Sequence, residues 1–527
     1  MKKQTSVFHI GERQSDKIEY LSDKFKYQWL PVKHLFQFGG GVNEDFMTGS
    51  IGKKEKRSIF IIEKLPELIL SENLLSQLPA HQIIYNANAH FSDRITEILE
   101  LKEAIPMQLD DMEKVFSFIS QTFAIKQAGF KILNDSIKIS EHFKGEYRKL
   151  GNAYLELAGD FSTQYEQIVT WRMTNVIGQG EQMAFYPEIE IVEGDLDVLF
   201  KIFVIKENSN HIIKVVEATL AQIKNKERIT FISEDAKAYI NLSMYVKGGE
   251  GKIRLSQMHI RRSLEADSLM VPGGHVIYDE TNLDDEVFYY FNAADLKPPL
   301  AVYFSGYRSA EGFEGLGMMN KMGCPYMLIA DPRLEGGNFY LGGEHFEKKI
   351  AAIILEKLAL LGFSNDDLLL SGLSMGTFGA LYYASELSPN CIIVGKPLTN
   401  IGTIALNGRI NRPGEFATAF DMLVFNTGEI SIDSAQKLNQ RFWKKFQTGD
   451  YTNTTFAIAY MKQDDYDKEA FPMLFEVLKE KYPATRVLYR GFIGRHNDNS
   501  SAINRWFVKQ YRNFMMTKYD RTIGKII

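Results

Sequence analysis

The chain has little cysteine and no excess of positive charge. Its 527 residues include two cysteines, Cys324 and Cys391, which are too few for a disulfide framework. Both lie in apolar stretches, as expected for a protein of a reducing compartment. The 61 basic and 66 acidic residues give a formal net charge of −5. Nucleic acids and anionic membranes attract strongly basic proteins, so we predict that neither is a partner.

The chain also lacks a long hydrophobic run. The most apolar window, residues 350–361, contains Glu356 and Lys357 and ends at Gly362, which predicts a buried helix rather than a membrane span. The apolar run near the first residue ends after Ile10 and is too short for a signal peptide. We therefore expect a soluble protein that is not secreted.

The remaining composition is that of a globular protein, with 45% hydrophobic and 24% charged residues. The length predicts two to four domains. Residues 1–160 give a mixed α/β pattern, with strand-like runs at 58–62 and 83–85 and a helical pattern over 109–125. Gly39-Gly40-Gly41 lacks the Gly-Lys-Ser/Thr of a phosphate-binding loop, and it predicts a plain turn.

A period of two follows, which predicts a β-sandwich over residues 161–270. One strand places four apolar residues on one face: Val198, Phe200, Ile202 and Val204. The rhythm of short strands and glycine-rich turns is similar to that of jelly-roll carbohydrate-binding modules, and a purely structural sandwich is the alternative. The candidates for sugar contacts, with half-buried packing as their alternative role, are Tyr239, Tyr245 and His259.

Residues 271–527 alternate between apolar strands and helices, which predicts an α/β unit whose mostly parallel sheet has helices on both faces. Two of its strands, near Cys391 and Thr455, are about 60 residues apart, too far for a simple connection. We therefore predict an insertion over residues 402–450 that acts as a lid.

The sequence Gly372-Leu373-Ser374-Met375-Gly376 has the G-x-S-x-G pattern of a nucleophile elbow. It follows an apolar strand and precedes a helical pattern, which is the context that the motif requires. Small residues must flank the serine, because a Cβ atom at 372 or 376 would collide with neighbouring backbone. We predict Ser374 as the nucleophile.

A serine nucleophile needs a base, and His496 is the one histidine that follows Ser374. It lies in a loop before the last amphipathic helix, where this fold places its base, in the order Ser, acid, His. The acid is expected after the strand near Thr455. Asp464 is the first choice, Asp465 the alternative and Asp467 the third.

The negative oxygen of an acyl-transfer intermediate requires backbone N–H donors. We predict one from Met375, directly after the nucleophile, and one from the loop that follows the strand at 300–304, where Gly306 allows close approach and Tyr307 donates. This machinery transfers an acyl group to a sugar hydroxyl or to water, so an esterase and an acyltransferase both remain open. It predicts no metal or bound cofactor, and the acyl donor is open.

These motifs and their order behind a long N-terminal half resemble those of the second accessory secretion protein of the Gram-positive accessory Sec system. The resemblance implies an α/β-hydrolase-like enzyme that O-acetylates N-acetylglucosamine on a serine-rich-repeat glycoprotein adhesin and is needed for its export. It implies a cytoplasmic protein, peripherally associated with the membrane translocase. The implied partners are other accessory secretion proteins, the accessory Sec motor ATPase and the accessory SecY channel. A carbohydrate acetyl esterase, or a non-catalytic scaffold for glycans and translocase partners, is the alternative.

Overall fold

Three groups of strands follow one another along the chain in the computed structural model. It describes residues 4–35, 51–52, 55–67, 69–124, 126–172, 175–234, 236–264, 268–334, 336–411 and 419–522. The predicted turn at Gly39-Gly40-Gly41 therefore lies outside the described residues. Within these ranges, no helix is both long enough and apolar enough to span a membrane.

The N-terminal group is a five-stranded parallel sheet in the order β2-β1-β3-β4-β5. Its strands are β1 (Thr5–Gly11), β2 (Phe25–Pro31), β3 (Ile59–Ile62), β4 (Ile83–Asn86) and β5 (Ile105–Met107). Its helices are α1 (Ile69–Gln77), α2 (Asp93–Leu101) and α3 (Met112–Phe123). All four residues of β3 are buried because helices cover both faces of the sheet, as is usual for parallel strands.

The second group is a sandwich of two antiparallel sheets, in the orders β14-β13-β16-β10-β7 and β15-β12-β17-β9-β8, with β11 beside β16 and β6 beside β17. Its strands are β6 (Gly129–Ile132), β7 (Ile137–Ile139), β8 (Glu146–Leu150), β9 (Tyr154–Phe161), β10 (Glu166–Trp171), β11 (Asn175–Ile177), β12 (Gln182–Glu193), β13 (Asp197–Lys206), β14 (Ile212–Thr219), β15 (Ile229–Ile232), β16 (Ala238–Lys247) and β17 (Gly249–Arg262), and it has one short helix, α4 (Leu220–Lys224). One apolar core fills the space between the sheets, and the four residues predicted to share a face of β13 all belong to it.

The sandwich begins earlier in the chain than its predicted start at residue 161. Strand β9 pairs along β17 from Leu155 opposite Leu255 to Phe161 opposite Gly249. Strand β6 pairs with the other end of β17. Leu155 and Leu255 lie 100 residues apart and Gly129 and Arg261 lie 132 apart, so the local hydrophobic period does not reveal that residues 129–161 belong to the sandwich.

The C-terminal group is an eight-stranded sheet in the order β18-β19-β21-β20-β22-β23-β24-β25. Its strands are β18 (Gly274–Asp279), β19 (Asp285–Asn292), β20 (Leu300–Phe304), β21 (Tyr326–Ala330), β22 (Leu368–Leu373), β23 (Cys391–Gly395), β24 (Thr455–Met461) and β25 (Val487–Phe492). Strand β19 is antiparallel to both of its neighbours, and the six strands β20 to β25 are parallel to one another. This is the α/β-hydrolase order, and the predicted fold class is confirmed.

Helices cover both faces of this sheet. They are α5 (Leu316–Met322), α6 (Glu344–Leu360), α7 (Met375–Tyr382), α8 (Ala384–Leu387), α9 (Ile401–Asn411), α10 (Asp421–Thr427), α11 (Ile432–Phe446), α12 (Ala470–Lys481) and α13 (Ser500–Tyr519). Helices α5 and α13 pack on one face, and α6, α7, α8 and α12 pack on the other. Burial on both faces explains why β20 to β23 are almost entirely apolar.

Candidate active site

Ser374 lies in a sharp turn between β22 and α7. Its backbone has φ 53° and ψ −121°, a strained conformation for a residue with a side chain. A Cβ atom on Gly372 would lie 2.2 Å from the carbonyl oxygen of Gly376, and one on Gly376 would lie 2.0 Å from that of Phe304. Both contacts are with backbone, which has little freedom to move. The two glycines therefore permit the turn that exposes the serine side chain at the edge of the sheet.

His496 meets this serine from the loop between β25 and α13. Its Nε2 lies 2.8 Å from Ser374 Oγ. The imidazole is 1% exposed, and the ring of Tyr466 packs edge-on against it at 4.5 Å between centroids. Its backbone N–H donates to Asp465 Oδ1 at 2.9 Å, which fixes the loop. The structure thus brings together the predicted nucleophile and the predicted base, 122 residues apart in the chain.

Asp464 holds the other side of the imidazole. Its Oδ2 and Oδ1 lie 2.8 and 3.1 Å from His496 Nδ1. Burial opposes ionisation of this carboxyl group, but the hydrogen bond and charge of His496 and the amides of Tyr466 and Asp467 outweigh it, so the pKa of Asp464 is lowered. A carboxylate in this position can stabilise an imidazolium on His496, which is the role predicted for the acid.

The other two acids of the same turn hold backbone amides. Asp465 accepts the backbone N–H of His496, as described above. Asp467 Oδ2 accepts the N–H groups of Thr399 and Asn400, at 2.8 and 2.7 Å. Asp467 therefore ties the turn after β24 to the segment before α9.

The candidate oxyanion donors lie beside the serine. Gly306, Tyr307 and Met375 all line the same cavity as Ser374. The N–H of Gly306 donates to Glu314 Oε2 at 2.6 Å, so a carboxylate already occupies that donor. The amides of Tyr307 and Met375 are the two that we retain as candidates for the oxyanion.

The cavity has a volume of about 310 Å³. Its walls combine apolar and polar side chains from the ends of the parallel strands and from the helices that follow them: Phe339, Leu373, Leu398, Ile404, Tyr466, Asn497, Ser500 and Asn504. Two charged residues that we did not predict, Glu314 and Lys396, also line it. Functional residues are frequent at the carboxyl ends of parallel strands. Since Lys396 directly follows β23, its position in the sequence could have identified it as a candidate site residue.

The insertion between β23 and β24 contributes less to the cavity than predicted. Of its described residues, which exclude 412–418, Ile404 lines the cavity. Three of its aromatic residues, Phe442, Trp443 and Phe446, are buried in the hydrophobic core. Residues 402–450 therefore add mainly to the hydrophobic core, and their role as a lid stays a prediction.

The sandwich holds the loop that carries the candidate oxyanion donor. Gln127 exchanges two hydrogen bonds of 2.9 Å with the backbone of Phe313. Glu311, in the same loop, accepts hydrogen bonds from His259 and Arg261 of β17. His259 is buried between carboxylates, so it does not present its ring to a sugar.

The other two candidate sugar contacts, Tyr239 and Tyr245, are half-buried on β16. Lys201 lies 5.1 Å from the ring centroid of Tyr245. A cation over an aromatic face is a packing arrangement that explains the position of this ring without a ligand. Sugar binding by the sandwich stays a prediction.

Comparisons with known proteins agree over most of the chain. A family model described as the accessory Sec system GspB-transporter matches residues 5–521. The second accessory secretion protein of the accessory Sec system of Staphylococcus aureus (strain NCTC 8325 / PS 47) is one relative. It is 36% identical over 490 residues, which is 92% of each chain. The protein of the same name from Streptococcus gordonii is 35% identical over 462 residues, 87% of this chain and 88% of that one.

A solved structure is similar throughout. It is titled the Glycosylation Associate Protein (Gap123) complex from Streptococcus agalactiae. The matching chain is 33% identical, and the superposition covers 99% of this chain and 100% of that chain with a TM-score of 0.85. The arrangement of all three groups of strands is therefore shared with an experimentally determined relative.

Proposed function

We propose, since this chain belongs to the accessory Sec system GspB-transporter family, that it is a serine acyltransferase acting within that export system. Its substrate is a serine-rich-repeat glycoprotein adhesin, on which it O-acetylates N-acetylglucosamine. The observation that carries the enzymatic part is the continuous contact from Ser374 Oγ through His496 to Asp464, inside a cavity large enough for a sugar.

The reaction has two half-steps. Ser374 Oγ attacks the carbonyl carbon of the acyl donor as its proton passes to His496 Nε2. Asp464 stabilises the imidazolium, and the amides of Tyr307 and Met375 bind the negative oxygen of the tetrahedral intermediate. The intermediate collapses, the leaving group takes the proton from His496, and an acyl-enzyme remains.

The second half-step reverses the first with a new nucleophile. A sugar hydroxyl gives its proton to His496 and attacks the acyl-enzyme, and collapse returns the proton to Ser374. Water in the same place yields hydrolysis. Apolar residues such as Leu373, Leu398 and Ile404 line the cavity and limit water at the acyl group once a sugar fills it, which favours transfer.

The test compares Ser374→Ala with Ser385→Ala. Ser385 is a serine of α8 whose hydroxyl donates to the carbonyl of Tyr382 at 3.0 Å, away from the cavity. Mass spectrometry of the exported glycoprotein is expected to show loss of acetyl groups with Ser374→Ala and their retention with Ser385→Ala. Unchanged acetylation with folded Ser374→Ala protein would refute the proposal. Purified protein that releases acetate to water faster than it acetylates N-acetylglucosamine would be a carbohydrate acetyl esterase instead.

A second function in export fits the similarity to a chain of a complex. The S. agalactiae structure is titled as an assembly, and we propose that this chain likewise works in an assembly of accessory secretion proteins. Its place would be cytoplasmic, peripherally associated with the translocase, with the accessory motor ATPase and SecY channel as further partners. If Ser374→Ala abolishes acetylation but leaves export, the two functions are separate. If it leaves both intact, the chain is a scaffold.

A further inference from the structure

Lys396 has an unusual position for a lysine. It directly follows β23, it is 8% exposed, and it lines the cavity that contains Ser374 and His496. Its φ is 61°, in the left-handed region that residues with side chains rarely adopt, and its N–H donates to the carbonyl of Ala459 at 2.7 Å. Strain of this kind persists where the surrounding structure enforces it, and it is frequent at functional sites.

The ammonium group of Lys396 is poorly satisfied by the protein. It carries three hydrogen-bond donors, and within the described part of the chain Ser500 Oγ accepts one at 3.3 Å. Burial lowers the pKa of Lys396, while the carboxylates of Asp464 and Glu314 attract its charge and oppose that effect. The group is therefore buried, faces a cavity and keeps donor capacity.

Lys102 shows how a structural lysine differs. It is fully buried, and its ammonium donates to three carbonyl groups, those of Ser76, Leu78 and Ala294. Each donor has an acceptor, and the lysine ties the N-terminal sheet to the hydrolase unit. Lys396 has no comparable set of carbonyl acceptors among the described residues. The ammonium of Lys396 therefore keeps donors for a molecule bound in the cavity that it lines.

The charge around Lys396 selects the kind of ligand. Glu314 also lines the cavity, and Asp464 lies behind His496, so the cavity has no excess positive charge. Arg308, a cation in the loop that carries Tyr307, is outside this cavity, and its Nε donates to the carbonyl of Ala310 at 3.3 Å. An anionic ligand would meet the carboxylate of Glu314 in the cavity and the charge of Asp464 behind His496, whereas a neutral hydroxylated ligand offers oxygen acceptors at little electrostatic cost.

We propose that Lys396 binds the neutral, hydroxylated acceptor, donating hydrogen bonds to its oxygen atoms and holding a hydroxyl group toward Ser374 and His496. This inference rests on the proposed function, because it assigns the acceptor of that same site. Ser500 supports the lysine from the first turn of α13. The amide side chains of Asn497 and Asn504 complete the polar wall.

Binding measured without turnover tests the assignment. In the full chain carrying Ser374→Ala, the affinity for N-acetylglucosamine is measured by titration calorimetry or ligand-observed NMR. Adding Lys396→Met is expected to weaken binding by about tenfold or more, because a charged donor is lost. Lys396→Gln keeps a shorter, neutral donor and is expected to lie between the two. Lys348→Met, at an exposed helix position, is the control.

The outcomes separate the two proposals. If the folded chain that carries both Ser374→Ala and Lys396→Met binds the sugar as tightly as the chain with Ser374→Ala alone, the role of Lys396 is overturned, whatever the result for Ser374. If Lys396→Met weakens the binding of coenzyme A or inorganic phosphate and leaves sugar binding unchanged, the role is also overturned, because the lysine would then bind an anionic acyl donor. Failure of a fluorophosphonate to label Ser374 in the wild-type chain would count against the proposed function alone. In the active enzyme, Lys396→Met is expected to raise the acceptor KM more than it lowers kcat.

Discussion

Replacing Glu311 by glutamine removes one charge from a buried cluster between the sandwich and the hydrolase unit. The Glu311 side chain is fully buried and accepts hydrogen bonds from His259 Nδ1 and Arg261 Nε. Arg261 also pairs with Glu286, and His259 Nε2 lies 2.9 Å from Glu188. Glutamine has nearly the same shape as glutamate, so the substitution tests charge rather than packing.

The pKa of Glu311 gives the expected size of the effect. Burial alone would raise this pKa, but the charges of Arg261 and His259 outweigh burial and lower it from 4.5 to about 2. At about 1.4 kcal/mol for each pKa unit, the ionised form stabilises the fold by about 3 kcal/mol. The same size, about 3 to 5 kcal/mol, is typical when one partner of a buried ion pair is removed. We therefore expect Glu311→Gln to lower the free energy of unfolding by about 3 kcal/mol at pH 7.

The pH dependence of this effect has a definite sign. Because the pKa of Glu311 is lower in the folded chain, its contribution is complete above about pH 4.5 and is lost as the pH falls toward 2. The difference in stability between wild type and Glu311→Gln should therefore shrink between pH 5 and pH 3. Thermal and urea midpoints measured across that range report it. Subtracting the free energy of the variant from that of the wild type removes the contribution of groups that titrate alike in the two proteins.

The control is Glu344→Gln, because Glu344 is exposed on α6 and pairs with Lys348 in solvent. No measurable change in midpoint is expected from it at pH 7, since solvent screens such pairs. If Glu311→Gln unfolds at the same midpoint as Glu344→Gln, the buried cluster does not stabilise the fold as reasoned. A difference that stays constant from pH 5 to pH 3 would equally contradict the assigned pKa.

Two further predictions concern the elbow and the acids. Gly376→Ala places a Cβ atom 2.0 Å from the carbonyl oxygen of Phe304, and it should destabilise the chain by about 1 to 3 kcal/mol, measured by thermal unfolding. Gly317→Ala, where a Cβ atom meets nothing within 4 Å, is the control, and equal midpoints would contradict the prediction. Asp464→Asn should slow labelling of the nucleophile by a fluorophosphonate by about three to four orders of magnitude, because the imidazole loses its carboxylate. Asp465→Asn should slow it far less, because Asp465 accepts the backbone N–H of His496, and the reverse order would reassign the acid.

The elbow could be predicted from local sequence, and the base from the order of the strands. The G-x-S-x-G pattern between an apolar strand and a helix specifies the turn, and the close contacts at Gly372 and Gly376 show why glycine is needed there. His496 followed from strand order, since the loop after the last strand of this fold lies beside the elbow. The structure brings Ser374 and His496 to 2.8 Å.

The acid could be narrowed to three residues but not chosen with certainty from the sequence. Asp464, Asp465 and Asp467 share one turn, and the direction of each side chain depends on its backbone angles. In the structure, Asp464 Oδ1 accepts the N–H groups of Tyr466 and Asp467, which closes the turn and aims the carboxylate at the imidazole. Hydrogen bonds of this kind between an aspartate and the following backbone are visible only when the turn is known.

Contacts between distant parts of the chain could not be predicted. The pairing of β6 and β9 with β17 joins residues 88 to 132 positions apart, and it places the start of the sandwich near Gly129. Glu314 and Lys396 come from separate loops and meet only in the cavity. Hydrophobic period describes which face of an element is buried, and it contains no information about which other element covers that face.

These long-range contacts change how deletions of the sandwich should be interpreted. Gln127 lies just before β6, the first strand of the sandwich, and the sandwich contributes Lys131 and β17. Lys131 donates to the carbonyl groups of Pro332 and Leu334 at 2.9 Å. Gln127 and β17 hold the loop that contains Tyr307. A chain without the sandwich therefore loses the anchors of two loops at the active edge of the sheet. Displacement of the candidate oxyanion donor would abolish activity in such a deletion even if the sandwich binds no sugar. Sugar binding by the sandwich therefore has to be tested with substitutions on its exposed surface.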